Sequence, residues 1–287
     1  MTYKVQKRLI ISFFLIIPLL IAGIFFIYPA CGLIFTSFTE WRGYGSFKYI
    51  GLTNYIDVFA QPKMFGVIIH NLAYLISGLL QLIGGIFLAV LINKKFFGKN
   101  FFRAVIFLPF ILNSVSIVYM FGYLFQPTGV YNNFLLFIHI IEKPLKFLSK
   151  DMVNASLAFI SFWQYLGFYT VIFLAGLQTI PVQLYEASKI DGANAWQDII
   201  HITIPNLTPL IQVGTFLVIT GSLRAFESPW ILLRAGPGGA SATLMTQIYE
   251  TAFRFNNYGL GAALSVVVTL IIIVIVVVPT WLLRERN

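Results

Sequence analysis

The sequence has few charged residues, one cysteine and three histidines, and each shortage excludes a class of protein. Charged residues make up 10% of the 287 residues and hydrophobic residues 59%, against about 25% and about 45–50% in ordinary soluble domains. Because a globule in water could not bury so much apolar surface, the composition excludes a cytosolic enzyme, a disordered chain and a nucleic-acid-binding module. The single cysteine, Cys31, excludes an internal disulfide scaffold. The three histidines are scattered and supply few ligands for a zinc site; they are His70, His139 and His201.

Long apolar runs are abundant, and they predict an all-α integral membrane protein. A helix needs about 20 apolar residues to cross the hydrocarbon core. Six stretches satisfy this requirement, namely residues 9–38, 67–93, 104–125, 153–180, 206–233 and 258–283. The second span contains three glycines, Gly78, Gly84 and Gly85, which predict that neighbouring helices approach this span closely. In the first span, Cys31 is expected to be a small buried side chain.

The basic residues give the predicted orientation in the membrane. The net charge of +9 is interpreted as basic residues that flank the spans, since cytoplasmic loops carry an excess of Lys and Arg. If the chain has six spans, most of its flanking basic residues fall on one side of the membrane. They are Lys4, Lys7, Arg8, Lys94, Lys95, Lys99, Arg103, Arg284 and Arg286. That side is predicted to be cytoplasmic, with both termini on it, although Lys143, Lys146 and Lys150 fall on the opposite side. We therefore predict a multi-pass protein of the plasma membrane.

Residues 181–205, between the fourth and fifth spans, are unusually long and polar for a loop on the cytoplasmic side. Apolar residues recur at helical spacing on either side of Gly192, which predicts a helix, a turn and a second helix. Glu186, Asp191 and Asp198 make the segment acidic. An amphipathic helix on the membrane surface is one interpretation, but such helices are usually rich in Lys and Arg. The acidic composition of the segment fits a docking surface for another protein better than it fits a helix on the membrane surface.

The same segment carries a recognisable motif. Glu186-Ala187-Ser188, then Gly192 after three residues, then Ile202-Thr203-Ile204-Pro205 after nine more, resembles the EAA signature of bacterial ABC-importer permeases. Ser188 replaces the usual Ala, and Ile204 replaces the usual Leu. The fuller run 186–211 resembles the carbohydrate-uptake branch. Residues 236–239 and 255–265 resemble the first member of the permease pair in the maltose and glycerol-phosphate type.

The resemblance implies a transport subunit with no catalytic chemistry of its own, which passes a sugar inward by alternating access. Its EAA loop would couple to a separate ATPase through Glu186, Ala187, Ser188, Asp191, Gly192, Ala193 and Pro205. The chain has no phosphate-binding G-x-x-x-x-G-K-[ST] loop, so no cofactor is expected in it, and ATP and Mg would be bound by the partner ATPase dimer. The other implied partners are a second, similar permease in a heterodimer, an extracytoplasmic solute-binding protein and membrane lipid.

The predicted organisation has three parts. Residues 1–66 hold the first helix and an extracytoplasmic loop, residues 67–283 the importer core of five helices, and residues 181–205 the coupling loop inside that core. Pro181 and Pro205 are expected to mark the joints between the loop and the spans.

Polar and aromatic residues inside the fourth and fifth spans are candidates for contact with the transported sugar, because polar groups in a membrane are costly. Rings and hydrogen-bonding groups together are typical of ligand pockets. The candidates are Trp163, Gln164, Tyr165, Phe168, Ser222 and Glu227. Arg224 lies three residues before Glu227, so the two would share a helix face and could pair, or could contact the binding protein instead. Asn113 and Ser116 in the third span could join helices through hydrogen bonds.

Two other functions remain open at this point. A secondary transporter driven by an ion gradient would show inverted repeats and a buried acid; no repeat is evident, and Glu227 is the one candidate acid. A membrane enzyme would need converging His, Asp, Glu or Ser groups, which the three separated histidines do not provide. The expected sugar is an oligosaccharide, with a polyol or a sugar phosphate as alternatives.

Overall fold

A computed structural model describes residues 3–60, 62–94, 97–234 and 236–284 of the chain. Two of the basic residues used for orientation, Lys95 and Arg286, lie outside the described residues. The helices are α1 (Tyr3–Ala22), α2 (Tyr28–Ser37), α3 (Thr53–Ala60), α4 (Pro62–Asn93), α5 (Lys99–Ile111), α6 (Ser114–Leu124), α7 (Val130–Phe137), α8 (Val153–Leu177), α9 (Val182–Ile190), α10 (Ala195–Asp198), α11 (Ile204–Leu223), α12 (Glu227–Leu233), α13 (Leu244–Tyr249) and α14 (Tyr258–Arg284). A short hairpin pairs β1 (Thr39–Glu40) with β2 (Lys48–Tyr49) in antiparallel register.

The described helices confirm an all-α membrane architecture but interrupt the predicted third span and the predicted fifth span, which is divided into α11 and α12. Five stretches are long and apolar enough to cross a membrane, and they lie at Ile11–Ser37, Gly66–Asn93, Val153–Leu177, Ala195–Leu233 and Tyr258–Ile275. The predicted third span is instead two helices, α5 and α6, bent by 96° at their junction. The total is therefore six spans only if this bent pair is counted as one.

The bend lies at Leu112 and Asn113, which both have extended backbone, and Asn113 starts the helix that follows. The Asn113 side chain accepts hydrogen bonds from the amides of Val115 (2.9 Å) and Ser116 (3.3 Å). A side chain that satisfies the free amides at a helix start favours a new helix there. Asn113 thus caps α6, and the expectation that it joins two spans is wrong.

The segments Met1–Met64 and Ile248–Ile271 form one compact unit. Its core contains Val58, Leu260, Ala263 and Leu264. The predicted first span is different, because no residue in its most apolar 18-residue window is buried. Cys31 is likewise exposed, contrary to expectation. Exposed apolar side chains on a spanning helix need lipid or another chain around them.

The second unit comprises Phe65–Gln247 and Ile272–Asn287. Glycines allow its helices to pack closely, as predicted for α4. A Cβ on Gly78 would overlap Val218 of α11, and a Cβ on Gly85 would lie 2.9 Å from Cβ of Tyr169 in α8. A Cβ on Gly167 would overlap the carbonyl oxygen of Ile106 in α5. Close helix contacts through small residues stabilise helix packing in membranes.

We predict that Gly167→Ala destabilises the protein by about 1–3 kcal/mol, the usual cost of overpacking. The added methyl group meets backbone rather than a movable side chain, so α5 and α8 have to separate. Gly32→Ala is the matched control, because nothing lies within 4 Å of its added Cβ. Thermal unfolding of both variants in detergent checks this, and equal melting temperatures would contradict it.

Candidate functional site

The segment between the fourth and fifth predicted spans folds as a helix, a turn and a second helix, which confirms the prediction from its apolar spacing. The first helix is α9, and the second begins with α10. Gly192 in the turn has φ +82°, a backbone conformation that glycine adopts without strain. Asn194 and Gln197 then form a capping box at the start of α10, which satisfies free amides at both residues.

The two ends of this segment join their spans differently. Residues 178–181 separate α8 from α9, with Pro181 preceding α9, as expected for a joint. The second helix is continuous, because α10 passes through a π-helical turn (Ile199–Thr203) directly into α11. The Ile204 amide donates to the Ile199 carbonyl, so the helix passes into Pro205 without a break. The expectation that Pro205 marks a joint is therefore wrong.

Hydrogen bonds hold the two helices of the segment together. The Ser188 hydroxyl lies 2.6 Å from Oδ1 of Asp198 and donates to it, and the Ser188 carbonyl accepts from the Ala193 amide at 2.9 Å. The hydroxyls of Tyr185 and Thr203 are 3.0 Å apart. Ser188, where the sequence departs from the usual alanine, thus ties α9 to α10.

The predicted coupling residues lie at the surface of this segment. Glu186, Ala187, Asp191, Gly192 and Pro205 are exposed, while Ser188 and Ala193 are half-buried. Ser188, Asp191, Gly192 and Ala193 also line a small cleft of about 280 Å³.

Large apolar side chains are exposed on the same segment. Ile190 is 87% exposed and Trp196 68% exposed, and Val182 and Leu184 are exposed as well. An apolar surface rimmed by polar groups is typical of a docking site.

A second region, a cavity of about 580 Å³, lies among α4, α5, α6, α8, α11 and α12. This volume falls within the range of small-molecule sites. Five of the six residues predicted to contact the sugar line it, namely Gln164, Tyr165, Phe168, Ser222 and Glu227. The structure thus brings together residues from both spans that flank the coupling segment.

Trp163 is the predicted residue that the structure places elsewhere. It packs against the core cluster that contains Ile117, Val118 and Phe121. Its ring meets that of Phe121 edge-on, with centroids 5.4 Å apart. The following residues Gln164 and Tyr165 turn toward the cavity, because successive residues on a helix are about 100° apart.

Aromatic rings form one wall of the cavity and amides contribute to another. Phe110 stacks on Phe168 with centroids 4.7 Å apart and lies edge-on to Tyr165 at 5.9 Å. The Gln164 amide donates to the Ser114 hydroxyl at 3.0 Å, and the Gln81 amide donates to the Ser161 carbonyl at 2.9 Å. Flat rings beside fixed polar groups suit a ligand with apolar C–H faces and many hydroxyls.

Two charges of opposite sign lie where α11 ends and α12 begins. Arg224 and Glu227 both line the cavity and both are exposed. Of the two alternatives for these residues, the pairing is not found, since neither side chain has an ion-pair partner within 4 Å among the described residues. Arg224 closes α11 and Glu227 opens α12, so the two do not share a helix face.

Several lining residues were not predicted from the sequence. Tyr74, Gly78 and Gln81 come from α4, and Phe110 comes from α5. Gln81 offered a signal, because it is a polar residue within an apolar span. Phe110 offered none, since nothing in the sequence distinguishes it from the other phenylalanines.

The described residues contain no group of three or more His, Cys, Asp or Glu side chains placed to hold a metal ion. Two of the histidines lie within hydrogen-bond distance of backbone carbonyls. Nδ1 of His70 lies 2.7 Å from the Ala242 carbonyl, and Nδ1 of His201 lies 3.0 Å from the Gln197 carbonyl.

Residues 81–284 match the family described as the binding-protein-dependent transport system inner membrane component. The chain belongs to this family. This confirms the predicted family of importer permeases, and the segment 181–205 and most of the cavity lining lie within the matched residues.

The sequence is similar to those of individual relatives over nearly its whole length. This permease is 32% identical to "Probable ABC transporter permease protein YurN" of Bacillus subtilis over 93% of both chains. It is 30% identical to "Multiple sugar-binding transport system permease protein MsmF" of Streptococcus mutans, over 89% of this chain and 88% of that one.

A solved structure shares the fold of this permease. One chain of a bacterial ABC transporter involved in the import of the acidic polysaccharide alginate superposes with a TM-score of 0.85 at 24% identity. The superposition covers 99% of this chain and 98% of that chain. At this identity the similarity establishes the fold alone.

The cavity of this permease can be tested by chemical labelling. In a Cys31→Ser background, we predict that a water-soluble maleimide modifies Ser161→Cys at least tenfold faster than Ala158→Cys. Ser161 lines the cavity, whereas Ala158, one turn earlier on α8, is buried in the core. Labelling rates measured in inverted and right-side-out membrane vesicles check this, and equal rates for the two variants in both kinds of vesicle would contradict it.

Proposed function

We propose that this permease is a transmembrane subunit of an ATP-driven bacterial importer that carries a sugar inward by alternating access. The observation that carries the proposal is the position of the cavity. Its walls include α8 and α11, the helices directly before and after the coupling segment. A displacement of that segment is therefore applied directly to the helices that would enclose the solute.

The cavity lining supports a sugar. It combines the Phe110–Phe168 stack with the hydrogen-bonding groups of Gln81 and Gln164. The relative MsmF is named for multiple sugar-binding transport. A sugar phosphate would find a cation in Arg224, but Glu227 in the same cavity opposes an anion. A neutral oligosaccharide fits this lining better than a sugar phosphate does, and a polyol is the smaller neutral alternative.

The coupling segment supports a separate motor. Its exposed Ile190 and Trp196 beside Glu186 offer an apolar and acidic surface to a partner. ATP and Mg would be bound by that partner, an ATP-binding cassette dimer. A carboxylate such as Glu186 forms strong hydrogen bonds with a basic group. In this proposal the segment and both termini would lie on the cytoplasmic side of the plasma membrane.

Two further partners complete the proposed importer. A second, similar permease would form the other half of the pathway as a heterodimer. An extracytoplasmic solute-binding protein would deliver the sugar, in agreement with the family's description as a binding-protein-dependent system. The lipid bilayer and this second permease would together cover the exposed apolar side chains of the first span.

An uptake screen tests the proposal. Cells with and without this chain, but with its partners intact, are compared for uptake of labelled maltotriose, raffinose, arabinotriose, lactose and glycerol 3-phosphate. We expect loss of uptake of at least one oligosaccharide. We also expect that depleting ATP stops uptake, while an ionophore that collapses the ion gradients leaves it within twofold when ATP is maintained. Uptake that follows the ion gradient and ignores ATP would establish the secondary-transporter alternative instead.

We predict that Glu186→Lys and Gly192→Val each reduce uptake at least tenfold without lowering the amount of permease in the membrane. The first substitution would reverse the charge presented to the partner, and a valine at φ +82° forces the turn out of shape. Glu142→Lys is the control for the charge change, because Glu142 is exposed and lies outside the segment. Normal uptake in both variants, or equal loss with Glu142→Lys, would count against coupling through this segment.

A further inference from the structure

One wall of the cavity contains a break in a helix, and the backbone carbonyl groups at this break need hydrogen-bond donors. Between α11 and α12, residues Arg224, Ala225 and Phe226 are not helical. Carbonyl groups at the end of a helix have no partner within that helix. Irregular backbone at membrane depth is tolerated where it is buried in protein or lines a cavity, and at this break protein side chains provide donors.

Two side chains from other parts of the unit provide those donors. Nδ2 of Asn71, on α4, donates to the Ser222 carbonyl at 2.7 Å. Oγ1 of Thr243, just before α13, donates to the Ala225 carbonyl at 2.6 Å. Ser222 and Ala225 both line the cavity. The break is thus held at both ends of the turn that carries Arg224.

Neither donor lines the cavity. Asn71 is 2% exposed and Thr243 is 0% exposed, and both lie outside the lining. Asn71 uses its second polar atom as well, since its Oδ1 accepts from the Leu244 amide at 3.2 Å. Asn71 therefore joins the break to the segment that contains Thr243.

That segment, residues 240–244, is buried and anchored to two more places. The Ala240 carbonyl accepts from Nδ2 of Asn154 on α8 at 2.9 Å, and the Ala242 carbonyl lies 2.7 Å from Nδ1 of His70 on α4. The 20 residues of α11 span about 30 Å, so the coupling segment and this anchor lie at opposite ends of α11.

We propose that Asn71 and Thr243 are positioning residues that fix the helix break and thereby hold Arg224 and Glu227 toward the solute. The two side chains act through the backbone of Ser222 and Ala225 rather than by touching the sugar. They also tie the cavity wall to residues 240–244 at the end of α11 remote from the coupling segment. This inference rests on the proposed function, which assigns the cavity to a sugar.

The variants follow from the hydrogen bonds. Thr243→Val removes the hydroxyl, both as donor to the Ala225 carbonyl and as acceptor from the Thr246 amide at 3.4 Å, at nearly constant shape, and Thr243→Ser keeps it. Asn71→Leu removes both bonds of Asn71. Thr170→Val is the matched control: Thr170 is similarly buried, and its hydroxyl donates to the Leu166 carbonyl within α8 at 2.8 Å, away from the break.

The complete importer is assayed for uptake of whichever of labelled maltotriose, raffinose, arabinotriose or lactose the wild type carries. We expect Thr243→Val and Asn71→Leu each to raise the KM of uptake at least fivefold, with the maximal rate within twofold. Thr243→Ser and Thr170→Val should stay within twofold in both parameters. The double variant should raise KM by less than the product of the single effects, because both residues hold one segment. Unchanged KM with less assembled complex in Thr243→Val would show a purely structural role and overturn the inference.

A second readout separates this inference from the proposed function, because it needs no transported sugar. Glu227→Cys in a Cys31→Ser background is labelled with a water-soluble maleimide in the assembled complex. We expect Thr243→Val to change the labelling rate at least threefold and Thr243→Ser to leave it unchanged. If the wild type carries none of the four sugars, the proposed function fails while this rate still decides the inference. Equal rates in all three backgrounds would overturn the inference even when uptake is found.

Discussion

Each backbone N–H and C=O group at membrane depth needs a hydrogen-bond partner, because hydrocarbon offers none. A continuous helix meets this need by itself, whereas a broken helix needs other groups, and in this permease side chains provide some of them. The described part of this permease breaks its apolar helices at Asn113 and at Arg224–Phe226. At the first break Asn113 satisfies the amides of the next helix, and at the second Asn71 and Thr243 satisfy carbonyls.

Both breaks lie beside the cavity, which is one of the places where the same constraint permits them. Irregular backbone at membrane depth is tolerated where it is buried in protein or lines a cavity. Gln164 of the cavity wall donates to Ser114, the first residue after the first break, and Ser222 and Ala225 of the second break line the cavity themselves. The residues that allow the helices to break are therefore close to the residues that would meet a solute.

The coupling segment shows a different use of helix geometry. Its second helix passes through a π turn and Pro205 into α11 without a break, whereas a joint separates its first helix from α8. In the proposed importer, α11 connects the segment to the break at Arg224. The Ser188–Asp198 hydrogen bond helps α9 and α10 to move together.

The sequence by itself determined the membrane class, the family and the position of the helix–turn–helix segment at residues 181–205. These depend on local properties, since apolar runs of sufficient length predict spans, and a motif with fixed spacings identifies one loop. Five of the six residues predicted to contact the sugar do line the cavity, because polar and aromatic groups in an apolar span stand out. Only the tertiary structure decided that Trp163 faces the core, that Arg224 and Glu227 do not pair, and that Asn71 and Thr243 support the break. Those facts depend on which helix packs against which. At the second break, the hydrogen-bonded partners are separated by 151 and 18 residues along the chain. No local sequence pattern could therefore reveal these contacts.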